Sequence, residues 1–263
     1  MAHSYAQTIT QLYSQLRLNG YSATDMVLVR KAYELAMLLF SGRFQPSGKT
    51  LISHGVGTAS ILTSLRLPGE VVAAGLIHNA YQNGDFGDGK RFISKSKRKY
   101  IRYNVGEDVE EYVARFATLK WKPENISTIR DEVNKLNPVD RSTVLIRLAD
   151  HLEHLLDLDV LYYKDIGRKR YTTDTHIVEK VAESLGFPTL ADEIRQSYKE
   201  TTLAKIPVEF TPLHSESFVI PPPSYRKRLS VLLLERFYYL GSVLKLRRMT
   251  SSLASVWKEK NKV

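Results

Sequence analysis

The spacing of apolar residues constrains the fold of this chain more than any other feature of its sequence. Apolar residues recur every three or four positions in several long segments, for example at Met26, Val29, Tyr33, Ala36 and Leu39. This spacing places them on one face of an α-helix, which can then be buried. No segment alternates apolar and polar residues as a half-buried strand would. The pattern therefore predicts an all-α fold.

Residues typical of helix ends support the same prediction. Thr24 or Asp25 is expected to cap the first of these helices, and Asn137 followed by Pro138 is typical of a helix start. Pro68 fits the first turn of a further helix. The periodic pattern predicts other helices at about 53–65, 107–119, 139–155, 176–185 and 189–203.

Length and composition indicate a globular protein. The chain has 263 residues, of which 43% are hydrophobic and 25% charged, as in ordinary globular domains. It contains no cysteine, which excludes disulfides and thiolate metal sites. No secretory signal pattern and no apolar run of spanning length are present, so we expect a cytoplasmic protein.

The net charge of +10 is concentrated in two segments. Residues 224–263 carry +8 and residues 88–103 carry +6, which leaves the remainder at −4. Prolines are frequent from 207 to 223. We therefore predict a helical domain over 1–205, an extended proline-rich connector over 206–223, and a basic helical tail over 224–263.

The tail combines many apolar residues with flanking arginines and lysines. A basic amphipathic helix of this kind can lie on an anionic membrane surface, which would make the protein peripheral to the membrane. It can also pack on its own domain, on a second copy of the chain, or on another protein. Apolar residues cover nearly the whole helix, which favours packing on protein.

The basic run from Lys90 to Arg102 has two interpretations. It is either a lid whose Lys90 and Arg91 bind substrate phosphates, or a solvated basic loop. Its aromatic residues are too sparse for base stacking, so nucleic acid is not expected as a partner.

Polar residues interrupt three of the apolar helices. They are His54, the pair His78-Asn79, and Asp150 with His154 one helical turn later. An unpaired imidazole or carboxylate in an apolar interior costs several kcal/mol. Such groups therefore tend to converge on one another or on a divalent metal, although a single histidine is more often an ordinary hydrogen-bonded core residue.

The order and the context of these residues resemble one known family. Leu76 to Asn79 (LIHN) resembles its "Leu-Leu-His-Asp", and Leu145 to Leu152 (LIRLADHL) resembles its "Leu-Ile-Lys-Leu-Ala-Asp-Arg-Leu". Arg43, Gly48 and the segment Ile52-Ser53-His54 are similar to its arginine, its glycine and its "His-Pro" helix. Over about residues 25–200 the chain thus resembles the HD superfamily of metal-dependent phosphohydrolases, and most closely the hydrolase domain of the RelA/SpoT alarmone enzymes.

This resemblance implies an HD-type helical bundle with a C-terminal helical extension. It also implies a metal site formed by His54, His78, Asp150 and the residue at position 79, holding manganese, iron or zinc. The aligned arginine of the family lies beside the nucleotide base, which implies a substrate-binding role for Arg43. A guanidinium stacks on bases and forks to phosphates, although Arg43 could also be a solvated loop residue.

Three functional acids of the family are amides here. Its "His-Asp" is His78-Asn79, and its next acidic pair aligns with Gln82 and Asn83. Asn79 is expected to be a weak metal ligand, because divalent ions favour charged oxygens. Gln82 and Asn83 cannot act as general bases. The family's asparagine four residues after its last aspartate is His154, which is either substrate-binding or a replacement ligand.

Three functions remain open from the sequence. The first is a divergent metal-dependent phosphohydrolase acting on a nucleotide-like or other phosphoester. The second is an inactive module that binds a phosphorylated ligand, or that acts as a scaffold for a partner or a membrane surface. The third is an iron-dependent oxygenase, which the additional histidines His151 and His154 permit but which the scarcity of carboxylates makes unattractive.

Overall fold

The computed structural model describes residues 5–163, 175–210 and 216–220, and these form a helical bundle. This confirms the predicted all-α class. The helices are α1 (Ile9–Leu18), α2 (Ala23–Phe40), α3 (Leu51–Ser64), α4 (Gly69–Ile77), α5 (Ala80–Asn83), α6 (Lys95–Val105), α7 (Glu107–Thr118), α8 (Pro123–Asp131), α9 (Pro138–Leu156), α10 (Thr175–Ser184) and α11 (Pro188–Leu203). Single turns of 3-10 helix lie at Val133–Lys135, Asp159–Tyr162 and Val208–Phe210.

Local capping explains where these helices begin. Asn137 caps α9 by accepting a hydrogen bond from the backbone of Asp140, with Pro138 in the first turn as predicted. The predicted cap of α2 was wrong: Ser22 is the cap, and its hydroxyl and Asp25 form a reciprocal capping box. The next helix begins at Leu51 rather than near Ser53, because the Thr50 hydroxyl accepts from the backbone of Ser53.

Helix α4 forms the centre of the bundle. It packs against α2, α3, α7 and α9, and Glu70 is its one residue that is not buried. A helix that is apolar on all sides is stable only when neighbours surround it. Close approach of α3 to α4 depends on Gly55, where a Cβ atom would lie 2.4 Å from the carbonyl oxygen of Leu76.

The basic run is a helix rather than a loop. Residues Lys95–Val105 form α6, capped by the Ser94 hydroxyl, with Lys97, Ile101 and Val105 buried. Periodicity was obscured here because lysines and arginines occupy most positions on the solvent side. The interpretation of this run as a solvated loop was therefore wrong for its second half.

The proline-rich region is not uniformly extended. Val208–Phe210 is a turn of 3-10 helix, and Phe218–Val219 forms a short antiparallel strand pair with Arg43–Phe44. The rings of Phe44 and Phe218 stack at 5.3 Å between centroids, which anchors this pair. The division of the chain at 206 and 224 stays a prediction, since the basic tail lies outside the described residues. No helix in the described part of the chain is long and apolar enough to cross a membrane.

Candidate metal centre

Three helices bring the predicted metal ligands together. His54 lies in the first turn of α3, His78 directly follows α4, and Asp150 and His154 lie one turn apart on α9. All four side chains are buried, with at most 3% of each residue exposed. The structure thus brings together, at one point of the core, polar groups that are up to 100 residues apart in the sequence.

The ligand atoms themselves lie within a few ångströms of one another. The Nε2 atoms of His54 and His78 are 3.2 Å apart. Asp150 Oδ1 lies 3.1 Å from Nε2 of His54 and 3.2 Å from Nε2 of His78. Nε2 of His154 lies 3.5 Å from the same carboxylate oxygen.

This arrangement fits a bound cation. His78 donates its Nδ1 proton to the carbonyl oxygen of Gly75 at 2.7 Å, and Nδ1 of His54 is engaged by the Glu153 carboxylate. Nε2 of His78 is therefore an acceptor, and Nε2 of His54 faces both this atom and Asp150 Oδ1. Three acceptor atoms this close repel one another unless a proton or a metal ion lies between them. His54, His78 and Asp150 can accordingly hold a divalent metal.

The pKa values of the site residues depend on two opposing effects, burial and the charge of neighbouring groups. Burial alone lowers the pKa of His54, but the Glu153 and Asp150 carboxylates outweigh it and raise the pKa to about 10. His78 has no second carboxylate, and burial lowers its pKa. Burial alone would raise the pKa of Asp150, but Arg147 and the three imidazoles hold it well below its usual range.

Residues that the sequence did not single out support the ligands. Glu153 is 2% exposed and contacts both His54 Nδ1 and the Lys49 ammonium. Arg147 donates from Nη1 to Asp150 Oδ2 at 2.6 Å, which leaves Oδ1 facing the imidazoles. Arg147 and Glu153 lie three residues before and three residues after Asp150. Both are charged residues on the buried face of α9, and this position in the sequence could have identified them. Lys49 gave no comparable signal, because its partner is 104 residues away.

A cavity of ≈ 320 Å³ adjoins the centre. Its wall includes three amides at positions where the family resemblance predicts acids, together with an arginine, an aromatic ring and two residues of the cluster: Asn79, Gln82, Asn83, Arg147, Phe116, Asp150 and His154. Gln82 Oε1 is buried and has no hydrogen-bond partner within the described residues. Nδ2 of Asn79 donates to Nε2 of His78 at 2.8 Å. The amides thus face the space that a ligand of the metal would occupy.

Three predicted substrate-binding residues lie outside the cavity wall. Arg43 is on the short strand and its Nη2 lies 3.4 Å from Asp85 Oδ2. Lys90 and Arg91 are exposed in the loop before α6. Asp85 and Asp88 accept hydrogen bonds from backbone amides two residues further on, as turn residues do. The substrate-binding role of Arg43, Lys90 and Arg91 stays a prediction.

A helical bundle in which histidines and an aspartate from three helices converge on a buried point defines a class of metal-binding α-helical domain. Residues 32–186 match the family model of the HD domain. This chain belongs to the HD domain family.

Relatives of this chain include RelA/SpoT-type enzymes. A chloroplastic protein of Arabidopsis thaliana described as a probable GTP diphosphokinase is 28% identical over 187 residues, which are 67% of this chain and 24% of the relative. The guanosine-3′,5′-bis(diphosphate) 3′-pyrophosphohydrolase of Aquifex aeolicus is 24% identical over 63% of this chain and 23% of its own. The predicted resemblance to the RelA/SpoT type is thus confirmed.

The match extends over only part of each relative. The chain spans between 16% and 24% of the length of the curated relatives that it matches. A solved structure of a metazoan orthologue of SpoT, described as hydrolysing ppGpp, has a TM-score of 0.45 and 21% identity, and covers 70% of this chain and 98% of that one.

Proposed function

We propose that this chain is a metal-dependent phosphohydrolase that acts on a nucleotide-like phosphoester. The observation that carries the proposal is the convergence of His54, His78 and Asp150, whose Nε2 and Oδ1 atoms lie within 3.2 Å of one another beside a cavity. The relative from Aquifex aeolicus is named for hydrolysis of guanosine 3′,5′-bis(diphosphate), which makes this nucleotide the first substrate to test.

Side chains of the cavity suit a phosphorylated ligand. A bound divalent metal would polarise a phosphate group and activate a water molecule. Arg147 carries a positive charge in the cavity wall, and the amide groups of Asn79, Gln82 and Asn83 can donate hydrogen bonds to phosphate oxygens. None of these amides accepts a proton at neutral pH, so the chain supplies no general base at these positions. Hydrolysis is therefore expected to be slow.

Release of phosphate or pyrophosphate tests the proposal. Full-length protein is incubated with guanosine 3′,5′-bis(diphosphate), GTP and GDP in the presence of manganese, iron(II) or zinc. We expect turnover that His78→Ala lowers at least 100-fold. His176→Ala provides the matched control, because the side chain of His176 is 74% exposed and should leave turnover unchanged. Activity that is identical in the His78→Ala variant would reject the proposal.

The amide-lined cavity favours a second candidate, a module that binds a phosphorylated ligand without hydrolysing it. Asn79, Gln82 and Asn83 retain the shape of acidic side chains but remove their negative charge, which lowers repulsion of an anion. The same nucleotides would then raise the melting temperature without any release of phosphate. A shift that Arg147→Met abolishes, with no turnover under any metal, would favour the module.

A further inference from the structure

His154 lies beside the cluster of His54, His78 and Asp150, and belongs with His54 and Glu153 to a second group that could hold a metal ion. Its ring lies 4.6 Å from that of His54 between centroids, and its Nε2 is 3.5 Å from Asp150 Oδ1. It is 3% exposed and lies in the buried wall of the cavity, next to Asp150. Its position therefore differs from that of a residue on the rim of a substrate pocket.

Each of the three imidazoles has a separate acceptor for its Nδ1 proton. His54 is held by the Glu153 carboxylate, His78 by the carbonyl oxygen of Gly75, and His154 by Asp159 Oδ2 at 2.9 Å. An acceptor at Nδ1 fixes the tautomer, so that Nε2 carries the lone pair that a metal requires. All three Nε2 lone pairs then converge on Asp150 Oδ1.

The backbone after α9 is shaped to supply the acceptor for His154. Helix α9 ends at Leu156, and Leu158 adopts a left-handed conformation with φ of 56°. This conformation costs a non-glycine residue about 1–2 kcal/mol. The reversal brings Asp159, which is fully buried, beneath the ring of His154.

Neither Glu153 nor Asn79 fits the fourth ligand position as well. The Glu153 carboxylate is engaged by Nδ1 of His54 and by the Lys49 ammonium, on the side of the ring away from the cluster. Asn79 directs its Nδ2 donor, not an oxygen, at Nε2 of His78. Its oxygen is also uncharged, which makes it a weak ligand for a divalent ion.

We infer that His154 is the fourth protein ligand, and that Asp159 and Glu153 are positioning residues for His154 and His54. The inference rests on the proposed function only in requiring a bound divalent metal. The centre then has three neutral imidazoles and one carboxylate, and carries one net positive charge with a divalent ion. An imidazole-rich set suits zinc, iron, cobalt and nickel, whereas carboxylate-rich sets suit manganese and magnesium.

Metal affinity tests the ligand assignment without any measurement of hydrolysis. Chelator-treated full-length protein is titrated with zinc and with manganese, in competition with an indicator dye. We expect His154→Asn to weaken zinc binding at least 100-fold and to weaken manganese binding less, because an amide replaces an imidazole. Asp159→Asn should weaken zinc binding about 10- to 100-fold through loss of the fixed tautomer.

Two matched variants serve as controls. Asn79→Ala should change the zinc affinity less than about 3-fold, and His176→Asn, which removes an exposed imidazole, should leave it unchanged. The inference is overturned if His154→Asn binds zinc as wild type does, if Asn79→Ala is as damaging as His154→Asn, or if wild-type protein binds neither zinc nor cobalt. Protein that binds zinc through His154 but releases no phosphate would reject the hydrolase proposal alone.

Wild-type protein offers a test that no folding defect can obscure. Nitrogen resonances of the imidazoles are followed by NMR while zinc is added. We expect the Nε2 resonances of His54, His78 and His154 to shift together while their Nδ1 protons remain hydrogen-bonded. An unshifted His154 would overturn the inference.

Discussion

At the scale of single residues, the cavity carries amides at three positions where the family resemblance predicts acids. Asn79, Gln82 and Asn83 all line the cavity. Removal of three negative charges makes the site more favourable to an anion and less able to accept a proton. The residues that hold the metal ligands in place, Glu153 and Asp159, are by contrast buried carboxylates.

Restoring the acids should restore the missing base. We expect the double variant Asn79→Asp, Gln82→Glu to release phosphate at least 10-fold faster than wild type under saturating metal, because general-base catalysis contributes ~10²–10⁴-fold. Initial rates with guanosine 3′,5′-bis(diphosphate) measure the effect. Asn134→Asp makes the same change of charge at an exposed position and should have no effect. Equal rates in all three proteins would show that the amides do not limit hydrolysis.

The buried pair of Lys49 and Glu153 should couple strongly. Their side chains are 13% and 3% exposed, and breaking a buried pair costs up to about 3–5 kcal/mol in the free energy of unfolding. Lys49 keeps its contact with Asp157 and Glu153 keeps its contact with His54, which reduces this cost. We expect Lys49→Met and Glu153→Gln each to destabilise the protein by no more than that. The double variant should cost clearly less than the two together, and urea unfolding measures all three.

A solvent-exposed salt bridge provides the control for these variants of Lys49 and Glu153. Lys135 and Glu132 form a salt bridge with side chains 76% and 52% exposed. Lys135→Met should therefore change the free energy of unfolding by less than about 1 kcal/mol. Additive effects of Lys49→Met and Glu153→Gln would mean that the buried pair is not a stabilising unit.

At the scale of helices, the site depends on how closely α3 and α4 approach each other. His54 and His78 come from these two helices, and Gly55 and Gly75 lie between them. Interhelical distance thus sets the separation of the two imidazoles. Nothing in the helical periodicity of either segment revealed this contact, because periodicity identifies a buried face but not its partner.

A methyl group at Gly55 should separate the two helices. Its Cβ would lie 2.4 Å from the backbone oxygen of Leu76, which cannot move alone. We expect Gly55→Ala to lower the free energy of unfolding by about 2–3 kcal/mol and to weaken zinc binding, since overpacking commonly costs 1–3 kcal/mol. Gly75→Ala should cost less, because its Cβ meets the Leu62 side chain instead. The reverse order of the two variants, in urea unfolding, would contradict this explanation.

Helix α6 was not predicted from the sequence, because its many charged residues obscure the helical spacing of its apolar residues. Glu110 of α7 is fully buried and accepts hydrogen bonds from Arg98, Arg102 and Tyr81. Arg98 also donates to Glu111, so two carboxylates offset the two arginines, and these contacts attach α6 to the bundle. The basic charge that the run from Lys90 to Arg102 presents to a ligand is therefore smaller than its sequence indicates.

At the scale of the whole molecule, the sequence predicted what local pattern and motif order determine. The helical class, the capped start of α9 at Asn137 and the convergence of His54, His78 and Asp150 followed from periodicity and from the cost of burying polar groups. Lys49, Arg147 and Asp159 did not, because their roles arise from contacts between distant segments or from the left-handed turn at Leu158. The role of the tail over 224–263 stays a prediction.

Stability of the whole protein should depend on pH through His54 when no metal is bound. The folded protein raises the pKa of His54 from 6.5 to about 10, so the folded state holds a proton that the unfolded chain releases. The resulting stabilisation is fully present below pH 6.5 and is lost as the pH rises through about 10. We expect the free energy of unfolding of chelator-treated protein to fall between pH 7 and pH 10, as measured by urea unfolding.

Glu153→Gln separates this effect from the titration of other groups. The variant lacks the carboxylate that contributes most to raising the pKa of His54. It also lacks a carboxylate that raises the pKa of Lys49, whose ordinary value of 10.5 already lies above this range. Its stability should therefore fall less steeply over the same range. Saturating zinc should also flatten the wild-type profile, because the metal replaces the proton between the imidazoles. If the free energy of unfolding depends on pH equally in the two chelator-treated proteins, protonation of His54 is not the cause of the pH dependence.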